Sequence, residues 1–402
     1  MSNNQLYVVE VLLSSSSNTP TPQDTLISIP SESILSLDVT ESVLTLLPKF
    51  TMVFADKGTI IDGNPISDKD VLHITFNNNI DDPKTEVYTK FIVSGINVSS
   101  DATENQGNYV TLTGYMAADN AFAPYSKETL RGTSDTVIRK KASELGLKFK
   151  NDVTGSESNA WYQIGNNYKF INHVSARAYI PNDGVFVYGT LDGTINYTSY
   201  NTKNALSVKF KAVYDRERVN NNILLPKDEI YMFYNGYDVK DLTEQYNNMS
   251  NYGGEVSIYN LDVHEFKDIS STVKNTQLLN QKSDYSGIPV FLDRIGLVGD
   301  KTLTDTIFIG KGQNAFTKFR LFSNTISLNI NNSTKVSLFD KVDLNLQSTL
   351  TGEDVAEPYS GEYLVGAISH SLVKNASYSK RVLLCRSGIN KSTIKKDYVG
   401  VL

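Results

Sequence analysis

Hydrophobic and polar positions along the chain alternate far more often than they recur at helical spacing. LYVVEVLL (6–13), VLHITF (71–76), KFIVSGINV (90–98) and NYVTLTGYM (108–116) are alternating or β-branched runs, which predict strands. The Asn/Asp/Gly/Pro clusters between them, such as DGNP and NNNIDDP, predict turns, and Pro20 and Pro22 mark an early loop. After residue 127 the period changes. Ser134 reads as the N-cap of a helix with Val137, Ile138, Ala142 and Leu145 on one face and Gly146 as its stop. A second helix is expected over 168–178, with Phe170, Ile171, Val174 and Ala178 together. VFVYGTLDGTINYTSY then reads as a hairpin turning at Asp192-Gly193. Downstream, LSVKFKAVYD, EIYMFYNGYDV, TIFIG, FTKFRLF, TISLNI, KVDLNLQS, EYLVGAIS and KRVLLCR all read as strands.

Two stretches echo each other. SDKDVLHITF, KFIVSGINVSS and NYVTLTGYM run parallel to LFDKVDLNLQ, EYLVGAISHSL and KRVLLCRSG. Each has a "DK" turn, Asp68-Lys69 or Asp340-Lys341, feeding an alternating strand. Phe91 and Tyr109 align with Tyr363 and Arg381, Ile92-Val93 with Leu364-Val365, Ile96 with Ile368, and Val98 with His370. The simplest reading is two copies of one small antiparallel β-barrel or sandwich. The expected fold is therefore mainly β with an α+β insert. Its divisions are a first barrel over 1–126, a helix–helix–hairpin insert over 127–204, and a β-rich segment over 205–304 completing the first barrel and the insert. A second barrel over 305–390 and an exposed tail over 391–402 follow.

Composition narrows the function classes. A chain of 402 residues with 40% hydrophobic and 20% charged residues can bury sizeable cores. A net charge of −6 argues against a nucleic-acid-binding surface, although DNA can slide past such a protein. One cysteine, Cys385, excludes an intramolecular disulfide and a multi-cysteine zinc site. The four histidines (His73, His173, His264, His370) have no metal-ligand spacing. No apolar run is long enough to span a bilayer, and the N-terminus reads as a strand.

No catalytic constellation emerges, and no cofactor or metal is implied. His370 lies between Ser369 and Ser371, whose side chains point to the opposite sheet face, so they cannot serve it as nucleophiles. A site filled by Val98 in one copy and His370 in the other suits packing or an interface. Asp62, Asp68, Asp70, Asp81 and Asp82 lack the twelve-residue calcium loop and read as solvated turns. Asp238, Asp241 and Glu244 read as surface rather than a glycosidase pair. Gly310-Lys311-Gly312 is too short for a phosphate loop. Arg139, Lys140 and Lys141 read as a solvated helix face, Trp161 as a packing anchor and Cys385 as a buried, inert thiol.

DTVIRKKASELGLKF, followed by WYQIGNNYKFINHVSARAYIPNDGVFVYGTLDGTINY, resembles the middle of phage tail hub proteins of the late-control type and of contractile-tail baseplates. They are related to the hub part of type VI secretion spike proteins. FDKVDLNL, SGEYLVGAISHSL and RVLLCRSG match that family's closing strands, and His370 falls on a recurrent histidine. Phe339 stands where the family pattern has Gly before the Asp.

The resemblance implies two tube-like antiparallel β-barrel domains per chain, in a homotrimer whose six barrels form a ring. Such a ring adapts a six-fold tail tube to a three-fold spike. The implied partners are the tube or tube-initiator protein, the central spike protein, the baseplate wedge proteins, and genomic DNA passing the lumen without specific binding. Membrane anchoring and enzymatic activity are not expected. The implied location is the virion tail tip, of the contractile kind, after assembly in the host cytoplasm. The residues nominated for a trimer or barrel interface are His370, Tyr363, Val365, Val98 and Phe91. Other readings are a receptor- or carbohydrate-binding tail protein presenting Tyr-rich loops (23 tyrosines) and a glycosidase on a β scaffold.

Overall fold

The alternating runs become strands wherever one face of each can be buried. The computed structural model describes residues 9–14, 27–56, 66–67, 70–77, 86–100, 107–119, 121–123, 128–163, 165–215, 229–241, 255–260, 265–270, 306–331, 334–346, 359–373 and 378–387. Strands β1 (Val9–Ser14), β2 (Ile27–Ile29), β3 (Ile34–Ser42), β4 (Lys49–Asp56), β5 (Val71–Asn77), β6 (Glu86–Ser100) and β7 (Asn108–Met116) form a first unit. An insert follows: β8 (Thr129–Gly132), α1 (Ser134–Glu144), β9 (Lys148–Asn151), β10 (Asn159–Tyr162), α2 (Asn167–Arg177), β11 (Val185–Thr190), β12 (Thr194–Ser199) and α3 (Tyr200–Asn204). Next come β13 (Phe210–Tyr214), β14 (Tyr231–Asp241), the hairpin of β15 (Glu255–Asn260) and β16 (Glu265–Ser270), and α4 (Thr306–Leu321). The last strands are β17 (Asn324–Ile330), β18 (Lys341–Leu344), β19 (Gly361–Val373) and β20 (Ser379–Arg386).

The fold is mainly β with a small α-containing insert, as the alternation predicts. The second unit is a closed barrel in the order β18-β13-β14-β17-β20-β19, with β19 returning to β18. β13 closes it by lying parallel to both β14 and β18. The 205–304 segment thus supplies two strands of the second barrel, whereas the sequence reading attached it to the first barrel and the insert. The first unit runs β3-β4-β7-β6-β5-β1-β2, and the 3-10 turn Ser31–Ser33 packs against β1 and β4. Its alternating inner faces bury Val11, Met52, Phe54, Leu72, Ile74, Phe91, Val110 and Leu112 in one cluster.

Three local expectations are corrected. TIFIG and FTKFRLF are not strands but lie in the single helix α4. Among its described side chains the buried face of that helix is largely polar, with Gln313, Asn314, Thr317 and Arg320 beside Leu321, so hydrophobic period reveals it poorly. Gly310 permits its close approach to α2, because a Cβ there would sit 2.7 Å from the carbonyl oxygens of Arg177 and Ala178. The N-cap of α1 is Thr133 rather than Ser134. Ser134 instead donates its N–H to Glu157 Oε1 at 2.8 Å and shares a 2.7 Å hydrogen bond with the Tyr197 hydroxyl. Lys141 is not on a solvated face either: it is 2% exposed and bridges Glu128 and Glu144, both at 2.7 Å.

The second expected helix and the Asp192-Gly193 hairpin form as read, and Trp161 anchors the insert by donating to the Gly132 carbonyl at 3.0 Å. The tail over 391–402, with Pro20, Pro22, Asp62, Asp68, Asp81, Asp82 and Glu244, lies outside the described residues.

Candidate functional site

Strand registers show that one five-stranded unit occurs twice. In the β6–β7 hairpin Ile92 faces Tyr115 and Val93 faces Gly114; the register then shifts, and Gly95 faces Thr113. In β19–β20 Leu364 faces Cys385 and Val365 faces Leu384, and after the same shift Ala367 faces Leu383. The bulge therefore falls at the same place in both copies. β5 meets β6 as β18 meets β19, with Val71 opposite Ile92 and Lys341 opposite Leu364.

The turns entering these strands also match. Ser67 N–H donates to Asp70 Oδ2 at 2.8 Å, and Ser337 N–H donates to Asp340 Oδ2 at 2.7 Å. Val93 N–H donates to the Asp70 carbonyl at 2.9 Å as Val365 N–H does to that of Asp340 at 3.0 Å. Two alignments from the sequence echo are thereby corrected. Asp340 corresponds to Asp70 rather than Asp68, and Tyr109 corresponds to Ser379 rather than Arg381. The connection between the hairpin strands is two residues shorter in the second copy, which shifts the third strand.

The duplication extends to strands that the echo missed. β3 pairs β4 with a bulge between Ile34 and Ser36, and β14 pairs β17 with a bulge between Tyr234 and Gly236. The signal is present in sequence: LDVTE (37–41) and YDVKD (237–241) occupy equivalent positions. At Phe339, where the family pattern has Gly, φ is +63°, in the left-handed region that favours glycine. Burial of the Phe339 ring against Phe186 and Tyr188, at centroid distances of 5.2 and 5.5 Å, offsets that strain.

The two copies are joined by strand pairing. Beyond its bulge, β19 leaves β18 and pairs with β3, placing His370 opposite Val39 and Ser371 opposite Asp38. A bulge bends a strand and re-aims it, which lets one strand pair within both units. Around this joint lies a buried polar cluster. The His370 ring, 8% exposed, has Nδ1 hydrogen-bonded to the Tyr378 hydroxyl and faces Lys380 across β20. Lys380 Nζ donates to the Thr334 carbonyl at 2.8 Å. Glu41, opposite Ile368, accepts the Leu191 N–H at 3.1 Å, so the insert meets both units here.

Burial sets the charges of this cluster. Burial pushes the His370 imidazole down to about 3, with the Lys380 charge adding to the effect. Burial raises the Glu41 carboxyl to about 7 and lowers the Lys380 ammonium to about 8. A neutral, satisfied histidine on the inner side of a joint fits scaffolding. On the opposite face the Thr40 and Ser369 hydroxyls meet at 3.1 Å.

The other nominated residues do not converge on one site. Phe91 and Val365 are buried in the cores of the first and second units. Tyr363 is also in the second core, and its hydroxyl donates to the Tyr359 carbonyl at 2.7 Å. Val98, the counterpart of His370, is 46% exposed. Cys385 is fully buried, and burial raises its thiol.

No protein-family model and no curated protein matches the chain in sequence. Solved structures do match its fold. The tail protein from Neisseria meningitidis MC58 superposes with a TM-score of 0.52 at 10% identity, over 95% of this chain and 97% of that one. The 43 kDa tail protein of prophage MuSo2 from Shewanella oneidensis superposes with a TM-score of 0.53 at 9% identity, over 94% and 97%. The chain has the fold of phage tail proteins, as the sequence resemblance implies.

Proposed function

We propose that the protein is a structural hub of a phage-type tail and not an enzyme. In this reading three chains form a ring of six barrel units between a six-fold tail tube and a three-fold spike. The observation that carries it is the duplicated five-stranded unit with its β19–β3 joint. That contact is head-to-tail: the β19 side of one unit meets the β3 side of the other. A head-to-tail contact repeated by one rotation closes into a ring when the rotation divides the circle. Two units per chain make a six-unit ring from three chains.

The partners of such a ring are the tube or tube-initiator protein on one side and the spike on the other, with wedge proteins around it at the tail tip. The net charge of −6 lets DNA pass a lumen without being held. Light scattering across a concentration series tests the reading. The expected mass is three times 44.6 kDa. A strict monomer, also in the presence of tube and spike proteins, sinks it and favours the receptor-binding alternative.

A further inference from the structure

Among the described residues, the duplicated units leave one joint made and its equivalent open. In the second unit the edge of β19 beyond its bulge is covered by β3. In the first unit β5 covers β6 only as far as Ile92, and no described strand pairs with that edge over residues 94–100. At the far end of the strand order β13 covers β14 only over 231–234, so the edge over 236–241 is likewise without a described partner. By the equivalences above, β6 is the counterpart of β19, and β14 is the counterpart of β3.

We propose that these two edges pair between neighbouring copies of this chain, in the register that β19 and β3 already use within it. Ile96 then stands opposite Asp241, Asn97 opposite Lys240, Val98 opposite Val239 and Ser99 opposite Asp238. The proposal rests on the ring reading and names the surface that closes the ring.

Three observations carry it beyond symmetry alone. First, exposed apolar residues sit where the register needs them. Val98 is 46%, Ile96 39% and Val239 37% exposed, whereas their counterparts His370, Ile368 and Val39 are 8%, 1% and 1% exposed in the completed joint. Unpaired edges bearing apolar side chains invite strand addition. Second, the pairing chemistry repeats: Ser371 opposite Asp38 becomes Ser99 opposite Asp238. Third, the edges lie on units at opposite ends of the continuous strand order, with the whole of β17-β20-β19-β3-β4-β7 between them. A second copy that repeats the β19–β3 contact brings these two edges together, so the occupant is a second copy.

Disulfide trapping tests the register. Val98→Cys/Val239→Cys, with buried Cys385 left in place, should give covalent dimers and trimers on a non-reducing denaturing gel that collapse on reduction. Each single variant, and the out-of-register pair Val98→Cys/Asn235→Cys, should stay monomeric on that gel. Light scattering of the same samples separates the two levels. A trimer in solution without the Val98–Val239 link overturns this pairing and leaves the ring standing. A monomer at every concentration overturns both. Because both side chains are exposed, Val98→Asp should keep the monomer folded while abolishing the trimer, and Val98→Asp/Val239→Lys should restore it.

Discussion

Replacing Asn314 with leucine should destabilise the protein by about 4 kcal/mol, since each buried polar group left without a partner costs about 1–3 kcal/mol. The Asn314 amide is the hub of the contact between α4 and the insert. Its Nδ2 donates to the Ala178 carbonyl at 2.8 Å and approaches those of Ser175 and Ala176 at 3.3 Å, while its Oδ1 accepts the Val185 N–H at 2.7 Å. The last carbonyls of a helix lack intrahelical partners, and here one side chain from a distant helix satisfies those of α2. Leucine fits the volume but strands the α2 carbonyls and the first N–H of β11. The measurement is a chemical-denaturation series on both proteins. A loss below about 1 kcal/mol would mean that these groups find other partners, because a single ordinary hydrogen bond contributes about that much net.

His370→Val should become progressively more stable than the unsubstituted chain as pH falls, by about 4 kcal/mol between pH 7 and pH 3. Each tenfold difference in proton affinity between the folded and unfolded chain is equivalent to about 1.4 kcal/mol. The folded-state value of His370 is depressed from 6.5 to about 3. Its contribution to stability is therefore complete above pH 6.5 and is lost as pH falls toward 3. Glu41 works the other way: its folded value is raised from 4.5 to about 7, so its contribution grows as pH falls from 7 and is complete below 4.5. Lys380, at about 8, stays charged throughout this range.

The unsubstituted chain should thus change little between pH 6.5 and 4.5 and lose stability steeply below. The variant should gain stability down to 4.5 and then hold it as far as this cluster is concerned. Valine is the residue at the equivalent position 98, so the strand accommodates it. Denaturation midpoints of both proteins at half-unit pH steps decide the matter. Parallel curves would show that His370 titrates normally and that the joint is wet.

Much of the fold was legible because alternation is a local property. β1, β5, β6, β7, β13, β14 and β17 to β20 all fall on alternating or β-branched runs, and α1 and α2 on helical periodicity. The hairpin duplication was also visible, down to the match of Val98 with His370. β3 and β4 escaped because they lie outside the echoed hairpin, and their link to the second copy is the short match of LDVTE with YDVKD. α4 escaped for a different reason. Its contacts with the insert run through Gln313, Asn314 and Thr317, and a largely polar buried face leaves little hydrophobic period to read.

The sequence by itself therefore determined the elements, the insert and the repeated hairpin, since these follow from periodicities of two and of about 3.6 residues and from turn chemistry. Only the tertiary structure decided which edges meet. Closure of the second barrel by β13, the seating of α4 against α2, and the passage of β19 from β18 to β3 each unite segments tens to hundreds of residues apart. Backbone edges carry the same N–H and C=O groups whatever their side chains, so pairing partners are chosen by burial and bulge geometry, which exist only once the chain has folded.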